Sequence, residues 1–504
     1  MTSKTHDAAE RPCVLGIDIG ASSCRAMIFD DQGKIRGRAS QEYSRSTPEP
    51  GWVELDAKQW WNDIAATIKK ALEGSDIIPS QVGSIGVDAE TDGILAVSED
   101  GEPLRPYIHW SDARCTVQHE WIRKNASIDE IYGITGIPLH KGWWSPPALK
   151  MLWIKENEPE VFRRTTKFLQ IGNYALFRLT GKMVTDYSMA SRTMLLDIRT
   201  RKWSDDLGKR LGIPLLKHPL LTDSTAIVGR ITREAATETG LASGTVAVTG
   251  GGDTECSAFG AGVTSQGQAL ISVGTSLMVA IPTGKPFLLP KGIGRELFGT
   301  GMITTCHVVP SMWIIEVGCM GGAFYSWFNR EFCQVEKQLA QNLRMNAYEI
   351  LNMQIEKSEV RLDSPIFAVP VNAMLNLTLE HKRSDIARSI LEGVAYEARE
   401  VLDIANESEI RTQRLTMVGG GAKSAIWRQI MADVTGKQVT SPVMPETATV
   451  GAAMLAAKPL QFPQGFGKMA RIETGTWVEP RLGIQEIYDE LFAKYRKLCK
   501  KMEN

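Results

Sequence analysis

The sequence has almost no net charge and no long apolar run. Its 504 residues carry 57 Lys and Arg against 58 Asp and Glu, a formal net charge of −1. A chain without an overall basic field is poorly suited to nucleic acid or to an anionic membrane surface. No stretch approaches the ~18 consecutive apolar residues of a membrane helix. We therefore expect a small-molecule ligand, with no nucleic-acid partner and no membrane partner.

Cysteine pairs and a secretion signal are missing as well. The eight cysteines include no Cys-x-x-Cys pair and no Cys/His spacing of the zinc type. Residues 1–12 are polar and charged, without the apolar stretch of a secretory signal. These features predict free thiols in a reducing, cytoplasmic environment.

Two common nucleotide-binding motifs are also absent. No segment fits Gly-x-x-x-x-Gly-Lys-Ser/Thr, which disfavours a P-loop. No strand is followed by Gly-x-Gly-x-x-Gly, which disfavours a dinucleotide-binding fold. Glycine itself is abundant, with 45 residues, and much of it is clustered in three short turns after strand-like runs. The turns are Asp18–Ser23, Gly274–Ser276 and Gly419–Ser424. Singly each is an ordinary turn, but such turns also let backbone N–H groups approach phosphate oxygens.

The pattern of strands predicts two related α/β lobes around one cleft. Residues 13–30 form a strand, a turn and a strand, and residues 269–281 repeat this arrangement about 250 residues later. Asp56 stands where a helix N-cap is expected, and a second helix is expected from Ser424; each precedes a run with apolar residues at helical spacing. We place the two domains at residues 12–250 and 251–504, with a nucleotide between them.

Several acids stand at the ends of strand-like runs. Asp253 follows three glycines, a position from which a carboxylate can take a proton from an attacking hydroxyl. Asp18 could hold hydrated Mg²⁺ against phosphates, or only cap its turn. Glu90, Asp92 and Asp112 are candidate hydroxyl acceptors near Trp110, which could stack on the C–H face of a sugar, although Asp92 and Asp112 also fit surface-loop acids. Trp143 and Trp144 stand in a Gly/Pro loop and are candidate cleft residues.

Four of these segments resemble, in the same order, motifs of the FGGY family of carbohydrate kinases. The segments are Gly16–Arg25, Gly250–Asp253, Ser272–Ser276 and Gly419–Asp433. The likeness runs from residue 13 to residue 500 and is greatest to the xylulokinase members. It implies two ribonuclease H-like domains of the actin and sugar-kinase superfold, flanking a central cleft.

The resemblance also implies roles for individual residues. Asp253 would be the catalytic base and would contact the substrate, and Asp18 would lie near Mg²⁺. The substrate would further contact Glu90, Asp92, Trp110 and Asp112. ATP would be bound by Gly20, Ala21, Ser22, Ser23 and Arg25, by Gly274, Thr275 and Ser276, and by Gly420, Gly421, Ala422 and Ser424.

Three departures from the family pattern are present. Ala21 stands where the family usually has threonine, so that one hydroxyl contact is absent and Ser22 is the candidate substitute. Residues 90–93, Glu-Thr-Asp-Gly, replace Gln-Met-His-Gly of xylulokinases, which puts D-xylulose itself in doubt. The usual Gly-Glu-Arg-x-Pro loop is missing between residues 370 and 377.

The resulting hypothesis is an ATP-dependent, xylulokinase-like carbohydrate kinase that uses ATP and Mg²⁺ to phosphorylate a hydroxyl of a small sugar or polyol. A homodimer is compatible with it. Two alternatives stay open: a catalytically impaired pseudokinase that only binds sugar or nucleotide, and an actin-like nucleotide switch.

Overall fold

Two mixed β-sheets with the same strand arrangement organise the chain. The computed structural model describes residues 12–139, 144–289, 301–369, 373–461 and 476–502. Trp143 lies outside these residues, as do residues 370–372 in the region of the missing family loop.

The first half of the chain contains fifteen described strands and ten described α-helices. The strands are β1 (Cys13–Ile19), β2 (Ser23–Phe29), β3 (Ile35–Glu42), β4 (Glu54–Leu55), β5 (Val82–Ala89), β6 (Leu95–Val97), β7 (Tyr107–Ile108), β8 (Lys167–Leu169), β9 (Val184–Asp186), β10 (Leu196–Asp197), β11 (Lys202–Trp203), β12 (Leu220–Thr222), β13 (Ile227–Arg230), β14 (Val246–Val248) and β15 (Gly251–Gly252). The helices are α1 (Ala57–Glu73), α2 (Thr116–Asn125), α3 (Ile128–Thr135), α4 (Pro147–Asn157), α5 (Pro159–Arg164), α6 (Ile171–Thr180), α7 (Tyr187–Ser191), α8 (Asp205–Leu211), α9 (Arg233–Thr239) and α10 (Asp253–Gly260).

The second half continues with eight described strands and seven described α-helices. The strands are β16 (Gln268–Val273), β17 (Ser276–Thr283), β18 (Met302–Cys306), β19 (Trp313–Met320), β20 (Phe367–Val369), β21 (Ala373–Leu375), β22 (Arg414–Val418) and β23 (Gln438–Thr440). The helices are α11 (Ala323–Phe332), α12 (Gln334–Leu343), α13 (Ala347–Glu356), α14 (Arg383–Glu407), α15 (Ala425–Thr435), α16 (Thr447–Ala457) and α17 (Ile484–Met502). Short 3₁₀ helices span Pro79–Gln81, Leu215–Lys217, Gly420–Lys423 and Lys458–Leu460.

The two sheets repeat one topology. The first sheet contains the order β14-β5-β1-β2-β3, and the second contains β23-β22-β16-β17-β19. In each sheet the opening strand pairs antiparallel with the next strand and parallel with a later one, β1 with β5 and β16 with β22. The predicted pair of ribonuclease H-like lobes is therefore confirmed. We call residues 12–252 the N-terminal lobe and residues from 268 onward the C-terminal lobe.

Local sequence signals explain where the main helices begin. The carboxylate of Asp56 accepts hydrogen bonds from the backbone N–H groups of Lys58 and Gln59, and so starts α1. Ser424 caps α15 in the same way through the N–H of Trp427. The Asp56 cap matches the sequence prediction, and α15 begins where a helix from Ser424 was expected. Trp60 on α1 is almost fully buried among the residues that cover one face of the first sheet.

Helices α10 and α16 cross between the two sheets. Helix α16 belongs to the C-terminal lobe in sequence but packs on β1 and β5 of the first sheet. Helix α10 covers the facing side of the second sheet through Ala258. A Cβ atom on Gly260 would lie 1.9 Å from the carbonyl oxygen of Thr447, and one on Gly451 would lie 2.0 Å from that of Cys256. The crossing thus brings backbone against backbone.

A strand pair flanks residues 370–372, the region in which the family loop is missing from the sequence. Strands β20 and β21, which precede and follow residues 370–372, pair antiparallel. Among the described residues, no helix combines the length and the apolar character that a bilayer span requires.

We expect Gly260→Ala to destabilise the fold, because its methyl group must push the two helices apart. The cost should be roughly 1–3 kcal/mol, as for overpacking in general. The control is Gly133→Ala in α3, where an added Cβ meets no atom within 4 Å. That variant should instead gain up to about 1 kcal/mol of helix stability. Thermal unfolding of both variants checks the crossing, and equal melting temperatures would contradict it.

Candidate active site

Three carboxylates meet at the carboxyl-terminal edge of the first sheet. Strands β1 and β5 pair in parallel so that Asp18 lies directly beside Asp88. Asp253 is the first residue of α10, which begins immediately after β15 at the same edge. Gly250 takes a φ of +77°, and a Cβ there would lie 1.7 Å from the carbonyl oxygen of Val87. This close passage against β5 brings Asp253 to the two strand-end aspartates.

Asp18 is held next to the first glycine turn. Its Oδ2 accepts a hydrogen bond of 2.9 Å from Nη1 of Arg25, as expected for a residue that supports the turn. The N–H of Gly20 donates to the carbonyl of Ser23 at 3.0 Å, and the Tyr43 hydroxyl lies within hydrogen-bonding distance of the carbonyl oxygens of Gly20 and Ser23. Burial raises the pKa of Asp18 in spite of Arg25. Between Gly20 and Ser23, Ser22 is exposed and Ala21 is partly exposed.

Asp88 is a site residue that our sequence analysis missed. Its side chain is fully buried, and no amide, hydroxyl or cationic group of the described residues donates to either carboxylate oxygen. Burial and the charges of Asp18 and Asp253 raise its pKa well above the ordinary value. A signal for it existed, because Gly86-Val-Asp88 repeats the pattern of Gly16-Ile-Asp18 on the neighbouring strand.

Asp253 combines partial exposure with a raised pKa. Its Oδ1 accepts hydrogen bonds from the backbone N–H of Thr254 at 2.6 Å and from the Thr254 hydroxyl at 3.3 Å. Burial and the charge of Asp18 raise the pKa of Asp253 to about 7. A carboxylate with this pKa is matched to proton abstraction near neutral pH.

The second glycine turn, like the first, is closed by a hydrogen bond from the N–H of its glycine to a carbonyl oxygen within the turn. The N–H of Gly274 donates to the carbonyl of Ser276 at 2.9 Å, and Gly274, Thr275 and Ser276 are all exposed. The N–H groups of Gly322 and Ala323, at the start of α11, donate hydrogen bonds to the carbonyl oxygens of Gly274 at 2.9 Å and Thr275 at 3.0 Å. Its backbone therefore forms a fixed, open loop at the end of β16.

The predicted adenosine segment follows β22 at the same edge of the second sheet. Residues 420–423 form a 3₁₀ turn, and Arg428 donates to the carbonyl oxygen of Ala422. A Cβ on Gly420 would meet nothing within 4 Å, whereas Gly421 packs against Val273. The segment therefore has one open face and one face fixed against β16.

The acceptor side contains two engaged carboxylates, Glu90 and Asp92. Oε1 of Glu90 accepts a 2.9 Å hydrogen bond from the Tyr107 hydroxyl, and its Oε2 lies 3.0 Å from Nε2 of His109. Asp92 has a φ of +72° and accepts from Nε and Nη2 of Arg192 at 3.1 and 2.5 Å. Asp92 also accepts from Nε1 of Trp144 at 3.1 Å, so its acceptor capacity is largely used within the protein.

Asp112 has a similar but more complete set of partners. Its two oxygens accept from Nε, Nη2 and the backbone N–H of Arg114, and from the N–H of Val53 at 2.6 Å. Four donors leave little capacity for a substrate hydroxyl. The geometry favours a positioning role for Asp112. Trp110 is partly exposed beside His109, with ring centroids 5.5 Å apart.

Two cations and one acid near Asp92 were not predicted from the sequence: Arg192, Lys150 and Glu316. Nη1 of Arg192 lies 3.3 Å from Oε2 of Glu316 on β19, and the ammonium group of buried Lys150 donates to the carbonyl of Asp92. These contacts join residues far apart in the chain, and no local pattern marks them.

Profiles of one protein family match both lobes. The N-terminal domain of the FGGY family of carbohydrate kinases matches residues 13–260, and its C-terminal domain matches residues 269–459. The chain belongs to the FGGY family of carbohydrate kinases. It is accordingly an enzyme that transfers a phosphoryl group to a small carbohydrate. A match across both lobes favours this activity over the pseudokinase and the actin-like switch.

Individual relatives resemble the chain over most of its length. Xylulose kinase of Escherichia coli strain K12 is 28% identical over 464 residues, which cover 88% of this chain and 90% of that protein. Glycerol kinase of Thermococcus gammatolerans is 29% identical over 458 residues, covering 88% of each. The crystal structure of xylulose kinase from Rhodospirillum rubrum superposes with a TM-score of 0.87 at 25% identity, covering 97% of this chain and 99% of that one.

The acids fit a divalent cation that is shared with a phosphate ligand. Within the part of the chain that the structure describes, no three His, Cys, Asp or Glu side chains are arranged to hold a metal ion by themselves. Mg²⁺ commonly uses one or two carboxylates and completes its shell with water and substrate phosphates. Asp18 and Asp88 supply such a pair.

We expect the rate to follow the ionisation of Asp253. With a pKa of about 7, kcat/KM for the acceptor should rise with pH below 7 and level off above it. Asp253→Asn keeps the shape but removes the base, so kcat should fall roughly 10²- to 10⁴-fold while the Kd for ATP changes little. Kinetics, nucleotide binding and melting temperature on one preparation check this. A variant that retains more than about a tenth of the turnover would contradict the role of Asp253.

We expect Asp88→Asn to stabilise the protein as the pH rises. The raised pKa means that folded Asp88 keeps a proton which the unfolded chain loses above the ordinary value of 3.8. Stability from this group is therefore present at low pH and is lost as pH increases through the folded pKa. Melting temperatures from pH 4 to 8 should show the variant gaining on the wild type. The control, Asp76→Asn, should show no such gain, because Arg36 lowers the pKa of Asp76.

Proposed function

We propose that the enzyme transfers the γ-phosphoryl group of ATP to a hydroxyl of a neutral, open-chain sugar or polyol, with Asp253 as general base. The observation that carries this proposal is the position and pKa of Asp253. It stands at the start of α10, beside Asp18 at the first glycine turn, and its pKa of about 7 suits proton abstraction.

The reaction needs little covalent chemistry from the protein. Asp253 accepts the proton of the acceptor hydroxyl as the hydroxyl oxygen bonds to the γ-phosphorus. The bond between that phosphorus and the oxygen bridging to the β-phosphate breaks, and ADP leaves. Catalysis then depends on holding the two reactants in line and on neutralising charge.

The nucleotide is assigned to the two turns and to the segment after β22. Backbone N–H groups of the Gly20–Ser23 and Gly274–Ser276 turns contact the phosphates, except those of Gly20 and Gly274, which close the turns. Arg25 supports the first turn through Asp18. Gly420, Gly421 and Ala422 border the adenosine, and Ser424 fixes α15 behind them. Ala21 offers no hydroxyl, so exposed Ser22 is the side-chain donor of this turn.

Asp18 and Asp88 are the residues assigned to Mg²⁺. When bound, Mg²⁺ supplies charge neutralisation to the phosphates. The two carboxylates lie side by side on β1 and β5, and both have raised pKa values because burial penalises their charge. A nearby dication favours the charged form of each acid.

The charges around the acceptor side favour a neutral substrate. Glu90, Asp92, Glu316 and Asp253 approach this region, and Arg192 is paired with two of these acids. A sugar acid would add a further negative charge here, where, of the described cations, Arg192 is held by Asp92 and Glu316 and Lys150 by backbone carbonyl oxygens. Asp253, the partly exposed carboxylate of this region, instead suits a hydroxyl group of a ketose or polyol, with Trp110 against the C–H face of the substrate.

The remaining assignments follow the same plan. Residues 12–250 would carry the acceptor and the first phosphate turn, and residues 251–504 the base, the second turn and the adenosine segment. A cytoplasmic location and a homodimer stay expectations from the sequence.

We expect the purified enzyme to release ADP with at least one neutral acceptor in a panel of ketopentoses, pentitols, tetritols and hexuloses. The matched pentonate should give a kcat/KM at least roughly tenfold lower than the pentitol, because like charges repel. The Asp253→Asn variant on the same panel controls for contaminating ATPase. Preference for the sugar acid would contradict a neutral acceptor, and no ADP release with any acceptor would contradict the panel's substrate class.

A further inference from the structure

Arg192 joins the two lobes at the acceptor side of the cleft. Its Nε and Nη2 hold the carboxylate of Asp92, which belongs to the N-terminal lobe. Its Nη1 lies 3.3 Å from Oε2 of Glu316 on β19 of the C-terminal lobe. All three residues are more than nine-tenths buried. A buried guanidinium shared by two carboxylates fixes geometry strongly, because each hydrogen bond has a preferred direction.

The contact continues from Glu316 to the helix that carries the base. The hydroxyl of Thr305 on β18 lies 2.8 Å from Oε1 of Glu316 and 3.0 Å from Oε1 of Glu255. Glu255 is on the first turn of α10, two residues after Asp253. A chain of direct contacts therefore runs from Asp92 through Arg192, Glu316 and Thr305 to α10.

The same arginine also contacts the acceptor pocket, by which we mean the part of the acceptor side formed by Asp92 and Trp144. Its guanidinium lies 5.7 Å from the centre of the Trp144 ring, and the Trp144 indole N–H donates to Asp92. The ammonium group of Lys150 donates to the carbonyl oxygen of Asp92 and so fixes the Asp92 backbone, which has a φ of +72°. Arg192 thus determines which direction the Asp92 carboxylate faces, while Lys150 determines where its backbone lies.

We propose that Arg192 is a positioning residue that couples the acceptor pocket of the N-terminal lobe to the placement of Asp253 on α10. The coupling rests on the proposed function for its effect on turnover, but the bridge between the lobes exists without a substrate. A displacement of a reacting group by about 1 Å can cost a hundredfold in rate, so a rigid link of this kind has a kinetic consequence.

Two sets of variants separate the pocket from the link. Arg192→Met removes both contacts, so the acceptor KM should rise and kcat should fall, each by roughly tenfold or more, with the Kd for ATP within about twofold.

Thr305→Val keeps the side-chain shape and leaves Arg192 and Asp92 in place. It should lower kcat by roughly tenfold with little change in the acceptor KM, and Thr305→Ser should restore kcat because it retains the hydroxyl.

The matched control is Arg178→Met. Arg178 is also ion-paired, to Glu238 at 3.0 Å, and also lies over a tryptophan, Trp61, but all these residues are in the N-terminal lobe. Its loss should leave both kinetic constants near the wild-type values. If Thr305→Val retains more than half of the wild-type kcat, or if Arg192→Met changes KM alone, the coupling to α10 is wrong.

The bridge itself is tested without any acceptor. Melting temperatures of Arg192→Met, Glu316→Gln and the double variant form a cycle, and the double variant should lose less stability than the sum of the two single losses. Additive losses would overturn the bridge even in an active enzyme. Should Arg192→Met fail to fold, Glu316→Gln and the two Thr305 variants decide the kinetic part. Wild-type protein that turns over no acceptor would refute the proposed function and leave the outcome of the cycle intact.

Discussion

The close crossing of α10 and α16 is the contact on which the rest of the molecule depends. Helix α16 lies on β1 and β5, whose ends carry Asp18 and Asp88, and α10 begins with Asp253. Gly260 and Gly451 let the two helix backbones touch, so the distance between the sheets is set by main-chain atoms rather than by adjustable side chains. The position of the base relative to the two strand-end carboxylates is therefore a property of this crossing.

The electrostatics of the cleft follow from that geometry. Burial raises the pKa values of all three aspartates at this edge, and the charge of Asp18 raises those of Asp88 and Asp253 further. Among the described residues, Arg25 forms an ion pair with Asp18. Such an arrangement costs stability in the free protein, as functional sites often do. The same unfavourable charge is what makes the edge receptive to a dication, and what keeps Asp253 able to exchange a proton near neutral pH. Binding and folding therefore place opposite demands on these residues.

Much of the fold could be predicted because its signals are local. Turns, caps and strand runs, such as the Asp56 cap and the strand-turn-strand units at residues 13–30 and 269–281, depend on neighbours in sequence. Asp18 and Asp253 could be named as candidate site residues for the same reason, because each stands beside a glycine turn in the sequence. Asp112 was interpreted as a hydroxyl acceptor although Arg114, two residues away, takes up its oxygens. Arg192 lies 100 residues from Asp92, so its contact arises only from tertiary packing.

The exchange of covering helices between the halves has a consequence for biosynthesis. One face of the first sheet is covered by residues 447–457, which are translated long after the strands of that sheet. Until they leave the ribosome, an apolar surface that includes Val14, Met27 and Phe29 has no native cover. Such surface is prone to aggregate or to attract chaperones. The N-terminal half thus forms a complete sheet early but acquires a complete core only after residues 447–457 have been synthesised.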